Sequence, residues 1–137
     1  MKRSANAVWK GNVKEGTGTF GVASGVIKDV KYGFPTRFED APGTNPEELI
    51  AAAHASCFSM ALSARLGDKG ITPEQIETTC TINFEGGTLT ASSLKTTLRA
   101  PGADRAKVQE AADAAKAGCP ISKVLKLEVS LELDVKT

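Results

Sequence analysis

Little in this chain favours a nucleic-acid partner. Its 17 basic residues are nearly cancelled by 16 acidic ones, for a formal net charge of +1, so the basic stripe of a phosphate-binding surface is missing. Only 5% of the residues are aromatic, too few and too scattered for a base-stacking platform. Cysteine is scarce and odd in number, three in all with no C-x-x-C pair. That count argues against a disulfide scaffold and against a thioredoxin-like motif. The sequence also has no G-x-S-x-G elbow and no phosphate-binding glycine loop. Its longest uncharged apolar-rich stretch, Leu49 to Leu62, falls short of the ~20 residues of a membrane span. Lys2-Arg3 is followed by Ser4, Asn6 and Lys10 rather than by the apolar core of a signal peptide. The expectation is a cytoplasmic protein, where thiols stay reduced unless they work.

What is present is a globular composition, 41% hydrophobic and 24% charged over 137 residues. It predicts one domain, residues 1–137. The first forty residues carry short apolar runs between glycines: Ala7-Val8-Trp9, Phe20-Gly21-Val22 and Gly25-Val26-Ile27. They read as strands joined by tight turns. A turn-rich stretch follows from Tyr32 to Gly43 and carries Arg37. Thr44-Asn45-Pro46-Glu47-Glu48 is then a clear helix start, with Asn45 at the N-cap, Pro46 at the first helical position and Glu48 placed for a capping box. The helix should run from Pro46 to about Leu66 and stop at Gly67. Its middle is apolar on every face, which predicts a central helix buried on most sides.

After Thr72-Pro73 the pattern turns to β. Cys80, Ile82 and Phe84 alternate with polar residues, and Gly86-Gly87 marks a hairpin into Thr88–Leu98. Asp104–Lys116 reads as a helix ended by Gly118 in the C′ role, and Cys119 as the cap of a short helix from Pro120. Leu127, Val129, Leu131, Leu133 and Val135 alternate with polar residues as a half-buried antiparallel strand. The order of elements means an α+β fold, with antiparallel sheets around the central helix.

A lone cysteine inside a buried helix, as Cys57 is placed, is by default an inert small hydrophobe. Cys119, between a helix-ending glycine and a proline, sits at a cap or exposed edge rather than a packing position. A buried thiol needs a nearby cation to ionise; Arg37 could supply one, though spacing alone does not show it. Cys80 shares a strand face with Ile82 and Phe84 and reads as core. His54, one turn before Cys57, reads as a buried, hydrogen-bonded structural histidine more readily than as a general base. His54, Cys57, Cys80 and Cys119 are ligand types for zinc, but they lack the paired spacing of a zinc site. No metal and no cofactor is expected.

Tyr32-Gly33-Phe34-Pro35-Thr36-Arg37-Phe38, Thr44-Asn45-Pro46-Glu47, Ala55-Ser56-Cys57-Phe58 and Cys119-Pro120-Ile121-Ser122 together resemble the OsmC/Ohr peroxidase family. The resemblance covers nearly the whole chain. Ala53-His54 and the Y-G-F-x-T-R-F segment point to the OsmC branch rather than the Ohr branch, and Cys80 matches no family motif. The resemblance implies a thiol-dependent hydroperoxide reductase. The helix residues around Cys57 (Leu49, Ile50, Phe58, Met60 and Leu62) predict an apolar approach, on which organic hydroperoxides react faster than hydrogen peroxide. Cys57 would be the attacking thiol, oxidised to a sulfenic acid, and Cys119 the resolving thiol that closes a disulfide. An external thiol or dithiol would reduce that disulfide. Arg37 would hold Cys57 ionised, and Glu47 would pair with Arg37 and aim it. A non-catalytic stress or small-ligand-binding protein on the same fold is the alternative.

Glu47 and Cys57 lie ten residues apart on one expected helix, ~15 Å along its axis and about 80° apart around it. No proline or glycine between Pro46 and Gly67 offers a kink. An intertwined homodimer, to which the resemblance also points, would bring the partner's Arg37 and Glu47 to each Cys57 and cover the helix's remaining apolar faces.

Overall fold

The computed structural model describes all residues, Met1–Thr137, which divide into two compact units, Met1–Leu49 and Ile50–Thr137. In the first unit, β1 (Ala5–Lys10), β2 (Thr17–Val22) and β3 (Val30–Gly33) form an antiparallel sheet in sequence order. Trp9, Tyr32 and Phe20 pack on it with ring centroids 5.5 and 5.8 Å apart. Gly18 permits this stack, because a Cβ there would run into the Tyr32 ring. Gly25-Val26-Ile27 is not a strand but the turn between β2 and β3, with Val26 84% exposed. Glycine at positive φ (Gly25, +79°) bends the chain there. The expected turn from Tyr32 instead ends β3 and starts a short helix α1, Phe34–Phe38.

Helix α2 spans Pro46–Gly67. Asn45 caps it as the sequence predicts, its side-chain oxygen accepting from the Glu48 N–H at 2.9 Å. The reciprocal half of the capping box is replaced: the Glu48 carboxylate accepts from the Thr44 hydroxyl at 2.7 Å.

In the second unit, β4 (Gln75–Glu85) and β5 (Thr88–Arg99) form a hairpin. Gly86 and Gly87 turn it at φ of +58° and +81°, both left-handed as a two-residue type I′ loop requires. Helix α3 (Arg105–Gly118) and helix α4 (Pro120–Val124) lead to β6 (Glu128–Lys136). β6 pairs parallel to β5, not antiparallel. Alternation reported correctly that one face is covered but says nothing of direction. The helical crossover returns the chain to the same end of the sheet, and only a parallel pair follows from that.

The core lies between one face of this sheet and the helices. α2 contributes His54, Phe58, Leu62 and Leu66, and α3 contributes Val108, Ala111, Ala112 and Ala115, against Leu94 and Leu98 of β5. Side chains of leucine size fully buried this way each contribute ~1.5–3 kcal/mol. α2 is therefore covered along a single i, i+4 stripe, not on most sides: Ala52, Ala53, Ser56 and Met60 are exposed. By length and mean hydropathy α2 also meets the criterion for a membrane span, which the shorter uncharged stretch had argued against. Its buried stripe makes it the core helix of this unit.

Candidate active site

Cys57 stands at the middle of α2, and Cys119 joins α3 to α4. α3 closes at Gly118, which is helical rather than in the left-handed C′ conformation. Cys119 then serves as C-cap of one helix and N-cap of the next, with Pro120 at the first position of α4. The cap role was legible in the sequence, but not the burial: Cys119 is fully buried within the core. That placement brings its Sγ to 3.0 Å from the Sγ of Cys57, 62 positions away in the chain. All three cysteines are free thiols.

The environments of the two sulfurs differ. Burial pushes the Cys57 thiol up, and its hydrogen bond with Cys119 adds to that; the Ile121 N–H opposes both. Burial would raise Cys119 too, but its hydrogen bond with Cys57 and the contacts of the Ser122 backbone and hydroxyl and of the Ile121 backbone outweigh it. Cys119 ends below the ordinary thiol range.

His54 is fully buried on the α2 stripe, as expected of a structural histidine. Its Nδ1 lies 2.7 Å from the Ser92 hydroxyl and its Nε2 2.8 Å from the Ser122 hydroxyl. Burial lowers its pKa, so the ring is neutral at pH 7. Cys80 is half-buried and packs against the core. Its company is more polar than the strand pattern suggested, with Sγ 3.2 Å from the Ser92 hydroxyl and 3.8 Å from His54 Nδ1. No group of three His, Cys, Asp or Glu side chains converges as a metal site. Ser92 was missed by sequence reasoning, and Ser122 was noted only as part of the Cys119-Pro120-Ile121-Ser122 motif. The signal for Ser92 was a serine in phase with Leu94, Thr96 and Leu98 on the inward face of β5.

In the first unit, α1 presents Arg37 and the first turn of α2 presents Glu47. The guanidinium donates through Nε at 3.2 Å and Nη2 at 2.8 Å to the Glu47 carboxylate, a forked geometry that fixes its plane. It also lies over the Phe38 ring, 5.2 Å from the centroid. The structure thus brings together the members of each expected pair, Cys57 with Cys119 and Arg37 with Glu47.

A core helix bearing one thiol, a helix junction bearing another and a crossover strand define an α+β protein of the OsmC type. The family model for OsmC-like proteins matches residues 38–134, and the chain belongs to that family. It is 46% identical to peroxiredoxin OsmC of Escherichia coli (strain K12) over 100% of this chain and 99% of that protein. It is 33% identical to organic hydroperoxide resistance protein OhrB of Bacillus subtilis (strain 168), over 72% of this chain and 74% of that one. The full-length likeness to OsmC, against the partial one to OhrB, puts the chain on the OsmC branch. Among solved structures, OhrB of Bacillus subtilis superposes with a TM-score of 0.65 at 28% identity, covering 97% and 98% of the two chains. An OsmC-like protein from Mycoplasma pneumoniae shares the fold, with a TM-score of 0.77 at 16% identity over 100% and 99%.

Proposed function

We propose that this protein is a thiol-dependent peroxidase that reduces organic hydroperoxides, with Cys57 as the attacking and Cys119 as the resolving thiol. The observation that carries the reading is the 3.0 Å approach of Cys57 Sγ to Cys119 Sγ. A sulfenic acid formed on Cys57 has its partner thiol at hand, without a large rearrangement. The Cys57 thiolate attacks one peroxide oxygen, the O–O bond breaks, and the alkoxide leaves with a proton as alcohol. Cys119 then displaces hydroxide from the sulfenic sulfur and the disulfide closes. An external thiol or dithiol returns both sulfurs to the reduced state. The relatives' names, peroxiredoxin and organic hydroperoxide resistance protein, support this reading, and the non-catalytic alternative is not favoured. We read the protein as soluble and cytoplasmic.

Arg37 and Glu47 complete the site in this reading, contributed by the second chain of a homodimer. Within one chain burial raises the Cys57 thiol, and a nucleophilic thiolate needs a cation to counter that. Glu47 and Cys57 sit on one helix, ten residues and therefore ~15 Å apart along its axis, which favours a partner's Arg37 for the task. Two further observations support a partner. The exposed residues of α2 include Ala52, Ala53 and Met60, the last 76% exposed. The sheet of the first unit buries only Gly18 and Gly21, and three strands need a covered apolar face to be stable in water. The family match from residue 38 to 134 spans both units, in keeping with one domain per chain.

The test of the activity is consumption of hydroperoxide with a dithiol reductant, compared between wild type and Cys57→Ser. Turnover by wild type alone supports the proposal; equal background rates for both would end it. Substrate choice follows from the surroundings of Cys57. Phe58 and Leu62, expected to line the approach, face the core instead. The helical neighbours that remain beside Cys57 are Ala53, Met60 and Ala61, none of them charged. An apolar approach favours each buried substrate methylene by ~0.8 kcal/mol. kcat/KM for cumene hydroperoxide should therefore exceed that for hydrogen peroxide by roughly ten- to a thousandfold. Equal or reversed values in a stopped-flow comparison would contradict this substrate assignment.

A further inference from the structure

We propose that the aromatic pocket beside Arg37 binds the organic group of the hydroperoxide, and that its walls make aryl hydroperoxides the preferred substrates. The proposal rests on the peroxidase reading, with Arg37 at the leaving oxygen. The pocket lies within the first unit and holds about 250 Å³. Its walls are Trp9 of β1, Val13 of the turn between β1 and β2, Tyr32 of β3, and Phe34, Arg37 and Phe38 of α1. The rings come in two pairs, Trp9 with Tyr32 at 5.5 Å between centroids and Phe34 with Phe38 at 4.8 Å. The Trp9 indole N–H already donates to the Gly11 carbonyl at 2.9 Å, so this ring asks for no polar partner in the pocket. Arg37 is the single charged wall, and the Glu47 fork fixes its guanidinium there.

The chemistry of the peroxide decides what must sit beside that guanidinium. The thiolate takes the terminal, hydrogen-bearing oxygen: an S–O bond forms, the O–O bond breaks, and the electron pair passes to the oxygen bonded to carbon. That oxygen leaves as an alkoxide and takes a proton from water to become the alcohol. The oxygen that Arg37 meets is therefore the one that carries the organic group, whose first carbon is one covalent bond away. The wall that adjoins the guanidinium is the wall this group touches, and here it is built of four rings. Hydrogen peroxide has no such group and makes no contact with them.

Size and shape narrow the class. Drug-sized ligands occupy pockets of roughly 300–1,000 Å³. A pocket of about 250 Å³ suits a single ring with a few carbons and is short for a long acyl chain. Aromatic walls also make offset or edge-on ring contacts that an aliphatic group of the same area does not make. Phe38 is 46% exposed and Val13 64%, so the mouth is open to an entering ligand. A side chain of a second copy is the competing occupant.

Cumene and tert-butyl hydroperoxide isolate the pocket, because both are tertiary hydroperoxides and differ by a phenyl group against a methyl. With the full-length protein and a dithiol reductant, kcat/KM for cumene hydroperoxide should exceed that for tert-butyl hydroperoxide by roughly ten- to a hundredfold. Trp9→Leu removes one wall and should cut this ratio about fivefold or more, mostly by raising KM for cumene hydroperoxide. Val13→Trp, at the exposed rim, crowds the mouth without entering the core and should cut the ratio by a similar factor. A wild-type ratio near one, or variants that lower both rates alike and leave the ratio in place, would overturn the inference. So would variants that keep the ratio but sediment as monomers, since the pocket then seats a second copy. If wild type reduces neither hydroperoxide, the peroxidase reading fails first and this inference with it.

Discussion

Cys57→Ser should abolish peroxide turnover, a loss on the order of 10⁴-fold or more, as expected when a nucleophile is removed. A serine hydroxyl at this position has no base to activate it, and it cannot form the sulfenic acid through which the oxygen is passed on. Cys119→Ser should behave differently. The first equivalent of hydroperoxide is still reduced, because Cys57 remains, but recycling through the intramolecular disulfide stops. In rapid mixing this variant should give a single burst of alcohol, equal to the enzyme concentration, and then stall with a dithiol that reacts only with disulfides. The split between the two variants matters more than either loss. If Cys119→Ser fails already in the burst, Cys119 takes part in the attack and not only in resolution.

The different surroundings of the Cys57 and Cys119 thiols were invisible in the sequence, where Ser122 stood only as part of a motif. Periodicity and capping residues were enough for α2, the β4–β5 hairpin and the junction at Cys119, because these depend on local chemistry: Asn45 and Pro46 at one end, two glycines at a turn, a proline after a cap. The direction of β6 was not local. Its alternating residues fit a parallel or an antiparallel neighbour equally, and only the α3–α4 crossover decides. The all-round apolar character of α2 suggested burial that a single chain supplies on one stripe, His54 to Leu66. The residues proposed for the site, Cys57, Cys119, Arg37 and Glu47, were picked out by their family pattern rather than by periodicity. Ser92 was masked because its neighbours in phase look like ordinary core.

Mixing inactive Cys57→Ser chains with inactive Arg37→Ala chains should restore about one quarter of wild-type activity once subunits have exchanged freely. Random exchange in a two-fold dimer places half of the molecules in the mixed form, and each mixed dimer regains one of its two sites. In that site Cys57 comes from one chain and Arg37 from the other. A site built within one chain would recover nothing, because each mixed-dimer site would still carry one lesion. Arg37→Ala should be inactive alone for a stated reason: Cys57, raised by burial, loses the cation proposed to ionise it and to meet the charge on the leaving oxygen. Glu47→Gln leaves the guanidinium charged but loosens the fork that orients it at 2.8 and 3.2 Å, so its loss of rate should be smaller. No recovery despite demonstrated exchange, or an active species that sediments as a monomer, would rule out the shared site.

The central claim, that Cys57 and Cys119 form the redox pair, is tested most directly by peptide mapping after one equivalent of cumene hydroperoxide without reductant. The account predicts one free thiol per chain, at Cys80, and a single intramolecular disulfide joining the Cys57 and Cys119 peptides. Three free thiols after the hydroperoxide is consumed, or a principal disulfide that contains Cys80, would contradict it.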